Sequence, residues 1–360
     1  MNRFTLIDGL RGIAAFMVAA GHLYGAISPA IGNRLPAVTG EFFDLGRFGV
    51  EIFFVISGFV IAYSVRDGTF TPNYLGKFIL RRFIRLDPAY WVIIIAELIL
   101  IRISLYFYPD LNTHIPGIKQ IAAHFLYLQD LLGLGNILPV FWTLCYEVQF
   151  YLIFVGALVL FNVTQTRYNS SKILFGVLAT AAYIYSVGAY LQVLPHPPNG
   201  LFIDRWFQFF LGVLCYWSSS NKVPRWLFPS TWVLSCISVF LFEVNPYRFE
   251  SSLVVLGISM LIFIGAQTKN LETWLNSRIL LFFGTISYAL YLIHLPVGWR
   301  FIALARKVFG DHMSLLTSIL VYFSGLLISI LAAWLLYIII ERPSLRFARR
   351  IKLPKAVTAS

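Results

Sequence analysis

Ten apolar segments, near residues 10–27, 48–65, 87–103, 140–161, 173–193, 205–218, 228–242, 251–266, 279–303 and 314–340, constrain this 360-residue chain more than any other feature. A bilayer core about 30 Å thick takes about 20 helical residues to cross. With only 12% charged residues, against about a quarter in soluble domains, the chain reads as an all-α polytopic membrane protein of about ten transmembrane helices. Its 33 Phe, 19 Tyr and 9 Trp suit aromatic girdles at both interfaces. The segment Ile118–Leu134 carries Lys119, His124, Gln129 and Asp130 between glycines, and is expected to be an interfacial or re-entrant helix.

Charge sets the orientation. With the N-terminus inside, nineteen of 28 basic residues fall on the cytoplasmic side, from Arg3 and Arg11 through Arg66, Arg167 and Lys172 to Arg350, Lys352 and Lys355. That bias predicts an even number of spans and both termini in the cytoplasm. The net charge of +12 then reflects attraction to anionic lipid rather than to nucleic acid, since no basic face accompanies a soluble core. Cys145, Cys215 and Cys236 all sit in apolar segments, so neither a disulfide framework nor a metal cluster is expected. Asp8 at the head of the first segment, and the spans that follow, argue against a cleaved signal. Residues 1–343 are read as one membrane-embedded domain and 344–360 as a basic cytoplasmic tail. The loops 104–117 and 194–204, rich in Pro, Asn, Asp and aromatics, read as turns that also suit sugar contacts.

Ionisable residues inside apolar spans are costly and point to function. In FTLIDGLRGIAAFMVAAGHLY, His22 lies three helical turns beyond Arg11 on the stripe Arg11, Ala15, Val18, His22, about 16 Å from it. His22, Glu147 and His294 are each expected about 18–22 Å from the cytoplasmic face, at a common depth that permits a single buried site. Ser287, Tyr291 and His294 share a helix face at i, i+4 and i+7, ending where Pro296 disrupts the helix. Lys77, Arg81, Arg82 and Arg85 are the densest basic cluster, suited to forked contacts with phosphate. Glu51 lies just inside an apolar boundary, and Ser57 and Gly58 give room for close helix packing or for a ligand, packing being favoured. No P-loop, Rossmann turn, HExxH or nucleophile elbow is present.

The stretches IDGLRGIAAFMVAAGH, GVEIFFVISGFVI, FILRRFIRLDPAYW, FWTLCYEVQFY and ISYALYLIHLPV, in this order between Phe4 and Pro343, resemble the integral-membrane acyltransferase-3 family of O-antigen, exopolysaccharide and nodulation-factor O-acyltransferases. The resemblance implies about ten membrane helices in a bacterial plasma (inner) membrane. It also implies transfer of an acyl group, commonly acetyl, from cytoplasmic acyl-coenzyme A to a sugar hydroxyl. It makes His22 catalytic and Arg11 essential, and it matches Arg81, Arg82 and Arg85 to the family's arginine element and Glu147, Phe150 and Tyr151 to its ExxFY element.

Three groups of roles follow as expectations. His22 acts as general base, with Glu147 orienting it or the sugar and Arg11 holding phosphate or oxyanion. Lys77, Arg81, Arg82 and Arg85 grip the coenzyme, and Ser287, Tyr291 and His294 meet the acceptor. The donor is a substrate, with no tightly bound cofactor or metal expected. A homodimer is compatible, although span composition assigns no interface. No fused esterase-like domain is seen, so any second step is expected from another polypeptide. A membrane transporter or flippase for a lipid-linked saccharide is the rival class, but no inverted repeat is evident and transport leaves the basic cluster unexplained. A metal-dependent glycosyltransferase would need clustered acids, whereas Asp8, Glu41, Asp44 and Asp87 are dispersed.

Overall fold

The computed structural model describes residues 4–109, 114–165, 171–242 and 245–354. Arg3, Arg167 and Lys355 of the cytoplasmic charge set, part of the 104–117 loop and the last six residues of the basic tail lie outside the described residues. The helices are α1 (Thr5–Ile31), α2 (Ala37–Asp44), α3 (Gly49–Ser64), α4 (Pro72–Phe107), α5 (Ile118–Phe125), α6 (Trp142–Gln165) and α7 (Ser171–Tyr190). They continue as α8 (Trp206–Ser219), α9 (Leu227–Leu241), α10 (Pro246–Gln267), α11 (Arg278–Ile293), α12 (Arg300–Phe309), α13 (Leu315–Leu336) and α14 (Arg342–Arg350). Every expected apolar segment is helical. Among the described residues eight helical stretches are long and apolar enough to cross a membrane. Segments six and seven, now α8 and α9, fall short of that length at 14 and 15 residues.

Side-chain contacts relate the directions of several helices. Phe4 at the start of α1 meets Phe59 and Tyr63 near the end of α3, so these two run antiparallel. Phe54 and Phe59 of α3 meet Phe209 and Tyr216 of α8, which run the same way as each other. Tyr288 bonds the Leu86 carbonyl, and beyond α11 Arg300 bonds Glu97, so α4 and the α11–α12 stretch are parallel. Buried Glu97 and the half-buried Arg300 form a forked pair at 2.5 and 2.7 Å, which satisfies both groups inside apolar surroundings.

Lipid offers no hydrophobic drive for helix association, so close backbone approach at small residues has to supply it. Gly12 of α1 lies so close to α11 that a methyl group there would come within 2.7 Å of the Gly284 backbone nitrogen. Gly58 and Gly212 likewise bring the α3 and α8 backbones together, which makes Gly58 the packing residue that its sequence context suggested. Gly12→Leu is expected to cost at least about 1–3 kcal/mol, because the obstacle is backbone rather than a movable side chain. Gly257→Leu, at a position with open space around it, should be neutral. Thermal unfolding of both variants in detergent checks the difference.

Two wide turns interrupt the long helices. His294–Trp299 joins α11 to α12 around Pro296, which has no N–H to give, and Tyr337–Glu341 joins α13 to α14 just before Pro343. Each begins or ends on an ionisable residue, His294 or Glu341. The Ile118–Leu134 segment is helical only to Phe125. Turns with positive φ at Tyr127 and Gly133 follow, and Gly135 just beyond is also positive. Buried His124 ties this segment down: its Nε2 accepts the Ile137 N–H at 2.9 Å and its Nδ1 faces the Gln120 carbonyl at 2.7 Å. Burial holds that imidazole below its ordinary pKa.

Candidate functional site

An arginine-lined chamber opens beside α14 and runs into the bundle. Its wide mouth, about 1870 Å³, is edged by Phe78, Arg81 and Arg82 of α4, Asp8 and Arg11 of α1, and Leu345 and Arg349 of α14. The mouth shares Arg11, Arg82, Arg85 and Glu341 with a narrower inner space. The inner space follows α3 from Val60 to Val50, a length of about 15 Å. Five arginines face three carboxylates, Asp8, Glu147 and Glu341, across the two spaces, so the field favours an anion. Low surrounding polarity strengthens that preference.

Local geometry explains which basic residues take part. On α4 the face Phe78, Arg82, Arg85 recurs at i, i+4 and i+7, with Arg81 at its edge. Lys77 is turned about 100° from Phe78; it is exposed and lies outside both linings, unlike its expected partners. The Arg82 guanidinium lies 4.6 Å from the centre of the Tyr151 ring. Tyr151 in turn donates to Glu147, which also accepts from Ser57 at 2.6 Å. Ser57 therefore belongs to the chamber while its neighbour Gly58 belongs to packing.

Glu147 is thus an arginine-chamber residue. The common depth expected for Glu147, His22 and His294 does not bring the three together, because Glu147 sits one turn inward of Thr143 and is already bonded to Ser57 and Tyr151. The outer end of the inner space is closed by Tyr291, whose hydroxyl lies 2.7 Å from that of Thr143 and 3.0 Å from the Val140 carbonyl. Phe53 packs edge-on against the same ring at 5.9 Å between centres.

Directly beyond Tyr291 is His294, with ring centres 6.1 Å apart. His294 is fully buried and meets the other histidine of the apolar spans: its Nε2 is 2.9 Å from Nδ1 of His22, and the two ring planes are nearly parallel. His294, expected to meet an acceptor, is enclosed against His22 and lies outside both chamber linings. Ser287, on the same face, is buried and donates to the Gly284 carbonyl of its own helix at 3.0 Å. It takes no part in the chamber lining.

His22 itself is exposed, contrary to the expectation of a buried ring. It heads an open strip of α1 formed by His22, Gly25 and Pro29 at i, i+3 and i+7. The strip lies between Gly21, pressed against the Phe43 carbonyl, and Ala26, whose carbonyl accepts from Arg306 at 2.9 Å. The arginine chamber and the open strip therefore approach one another from opposite ends, separated by Tyr291 and the histidine pair.

Glu341, Arg349, Tyr288 and Thr143 are site residues that sequence reading passed over. Glu341 had a signal: it is a carboxylate closing the longest apolar run, and it is buried facing Arg11 and Arg85. Arg349 falls in the stretch that the sequence reads as a tail, but α14 packs on α4 and brings it to the mouth. Among the described residues no His, Cys, Asp or Glu group is arranged to hold a metal.

A bundle of long apolar helices around an arginine-lined chamber, with a histidine pair one ring beyond its end, defines a class, a multi-pass membrane protein with a polar interior site. The chain belongs to the acyltransferase-3 family, whose acyltransferase domain it matches over residues 4–338. It is 28% identical to the peptidoglycan O-acetyltransferase OatA of Listeria monocytogenes, over 81% of this chain and 49% of that one, so it spans about half the length of that relative. It is 25% identical to the acyltransferase MdmB of Streptomyces mycarofaciens over 97% of this chain and 93% of that one. No solved structure matches it.

Proposed function

We propose that this protein transfers an acyl group, acetyl being the group named in its OatA relative, from cytoplasmic acyl-coenzyme A to a hydroxyl of a sugar or glycan. The observation that carries this reading is the chamber: cationic at its mouth, about 15 Å deep, and ending one ring short of the histidine pair. Arg81, Arg82, Arg85, Arg11 and Arg349 hold the nucleotide phosphates, and the thin pantetheine arm follows α3 inward. Tyr291 and Phe53 turn aside to admit the thioester to His22. The acceptor approaches along the open strip of α1.

The chemistry balances at three atoms. The acceptor oxygen attacks the thioester carbonyl carbon while His22 Nε2 takes the hydroxyl proton. The carbon–sulfur bond breaks, and the coenzyme thiolate leaves and recovers that proton as a thiol. In the same reading the chain crosses a bacterial plasma membrane ten times with both termini cytoplasmic. The antiparallel α1 and α3, the parallel pairs α3 with α8 and α4 with α11, and the bias of nineteen basic residues in the sequence support this. The short α8 and α9 then cross within a bundle that shields their ends.

Purified protein in nanodiscs, given acetyl-labelled acetyl-coenzyme A and solubilised glycan fragments, should release free coenzyme thiol and label the glycan hydroxyls. Peptidoglycan fragments are the first acceptors to try, since the OatA relative is named for them. Absence of both coenzyme binding and thiol release across a panel of acceptors would overturn the proposal.

A further inference from the structure

The hydrogen bonds of the histidine pair fix where its protons sit. His294 Nδ1 lies 3.0 Å from the Leu290 carbonyl, and a carbonyl only accepts, so that nitrogen carries hydrogen. In a neutral imidazole the other nitrogen is then a bare acceptor. His294 Nε2 therefore accepts, and its partner at 2.9 Å, His22 Nδ1, must donate. His22 is left with Nε2 unprotonated, on the ring that is open to the α1 strip.

We infer that His294 is a positioning residue: relayed from the Leu290 carbonyl, it holds His22 in the one neutral tautomer whose free nitrogen faces the acceptor. This rests on the acyl-transfer reading for its catalytic consequence, although not for the tautomer itself. When His22 Nε2 takes the hydroxyl proton, the ring becomes a cation whose Nδ1–H still points at the His294 lone pair. The pair thus keeps its geometry through the proton's arrival and its delivery to the leaving thiolate. The wide turn that begins at His294 belongs to the same device. Pro296 breaks the regular helix just beyond, and the resulting segment presents the His294 ring to α1.

Two substitutions separate this role from packing. His294→Gln can offer an amide oxygen where Nε2 stood, whereas His294→Leu fills similar space with nothing to accept. The leucine variant is expected to lose about 10²-fold in kcat, at the low end of general-base effects, with the donor KM near wild type. The glutamine variant should recover most of that loss. Equal loss in both variants, or a change in donor KM alone, would overturn the positioning role.

A second measurement does not depend on turnover. Side-chain ¹⁵N spectra of histidine-labelled protein in lipid, with His22 assigned by its disappearance in His22→Gln, should show a protonated Nδ1 and a bare Nε2 at neutral pH. The leucine variant should show mixed tautomers. Protonated Nε2 on His22 in the wild type would sink the inference whatever the enzyme does. The expected tautomer together with no acyl transfer would instead sink the acyl-transfer reading and leave the hydrogen-bond assignment standing.

Discussion

Replacing His22 by alanine is expected to lower kcat for acyl transfer by about 10²- to 10⁴-fold with the donor KM left near its wild-type value. The division follows from the architecture. The arginines line the chamber up to Tyr291, where the proposed function puts the donor, and His22 lies beyond that ring, outside the lining. Being exposed on its helix, His22 can be truncated without opening a core cavity, but truncation leaves buried His294 Nε2 without its partner, so thermal unfolding of the variant is measured beside the kinetics. Initial rates against donor concentration, with coenzyme binding measured separately, check it. A raised KM with kcat retained would place His22 in donor binding and end the proposed role.

The second large effect is expected at the other end of the chamber. Arg82→Ala or Arg85→Ala should raise the donor KM by about 10- to 100-fold, the range of one lost charged hydrogen bond. Saturating donor should restore most of kcat. Arg85 also faces Glu341, whose other cationic neighbour is Arg11, so removing its charge takes away part of what compensates a buried carboxylate. Arg85→Ala should therefore lower thermal stability as well. Adding Glu341→Gln should return stability without returning donor affinity. Recovery of both together would mean that Arg85 serves the fold and does not touch the coenzyme. Arg82, stacked on Tyr151, separates the same two effects from another side, since Arg82→Lys keeps charge but loses the forked geometry.

How far the site could be read in advance depended on whether a residue's partners were near it in sequence. The α4 arginines were legible because helical spacing alone puts Arg82 and Arg85 on one face. Lys77 misled, since a charge cluster in sequence covers more of a helix circumference than one chamber can face. Glu147 was correctly marked as an intramembrane acid, yet depth counted in residues could not tell whether it would turn toward histidine or arginine. That choice was made by α3, which offers Ser57, and by α4, which offers Arg82 above Tyr151. Glu341 and Arg349 were invisible for a different reason: only the return of α14 across α4 brings the chain's end to the chamber mouth.

What the sequence by itself determined is the bundle. Apolar runs of helical length have no other way to satisfy their backbone in a bilayer, and every one of the ten became a helix. It also determined the family, through short motifs in order. The tertiary structure alone decided that His22 and His294, 272 residues apart, would share a hydrogen bond. It decided too that Glu147 would stand with the arginines. Helix periodicity fixes which way a side chain points around its own axis. Only close contact at glycines such as Gly12 and Gly284 fixes which neighbouring helix it meets, and that contact is a property of two distant stretches at once.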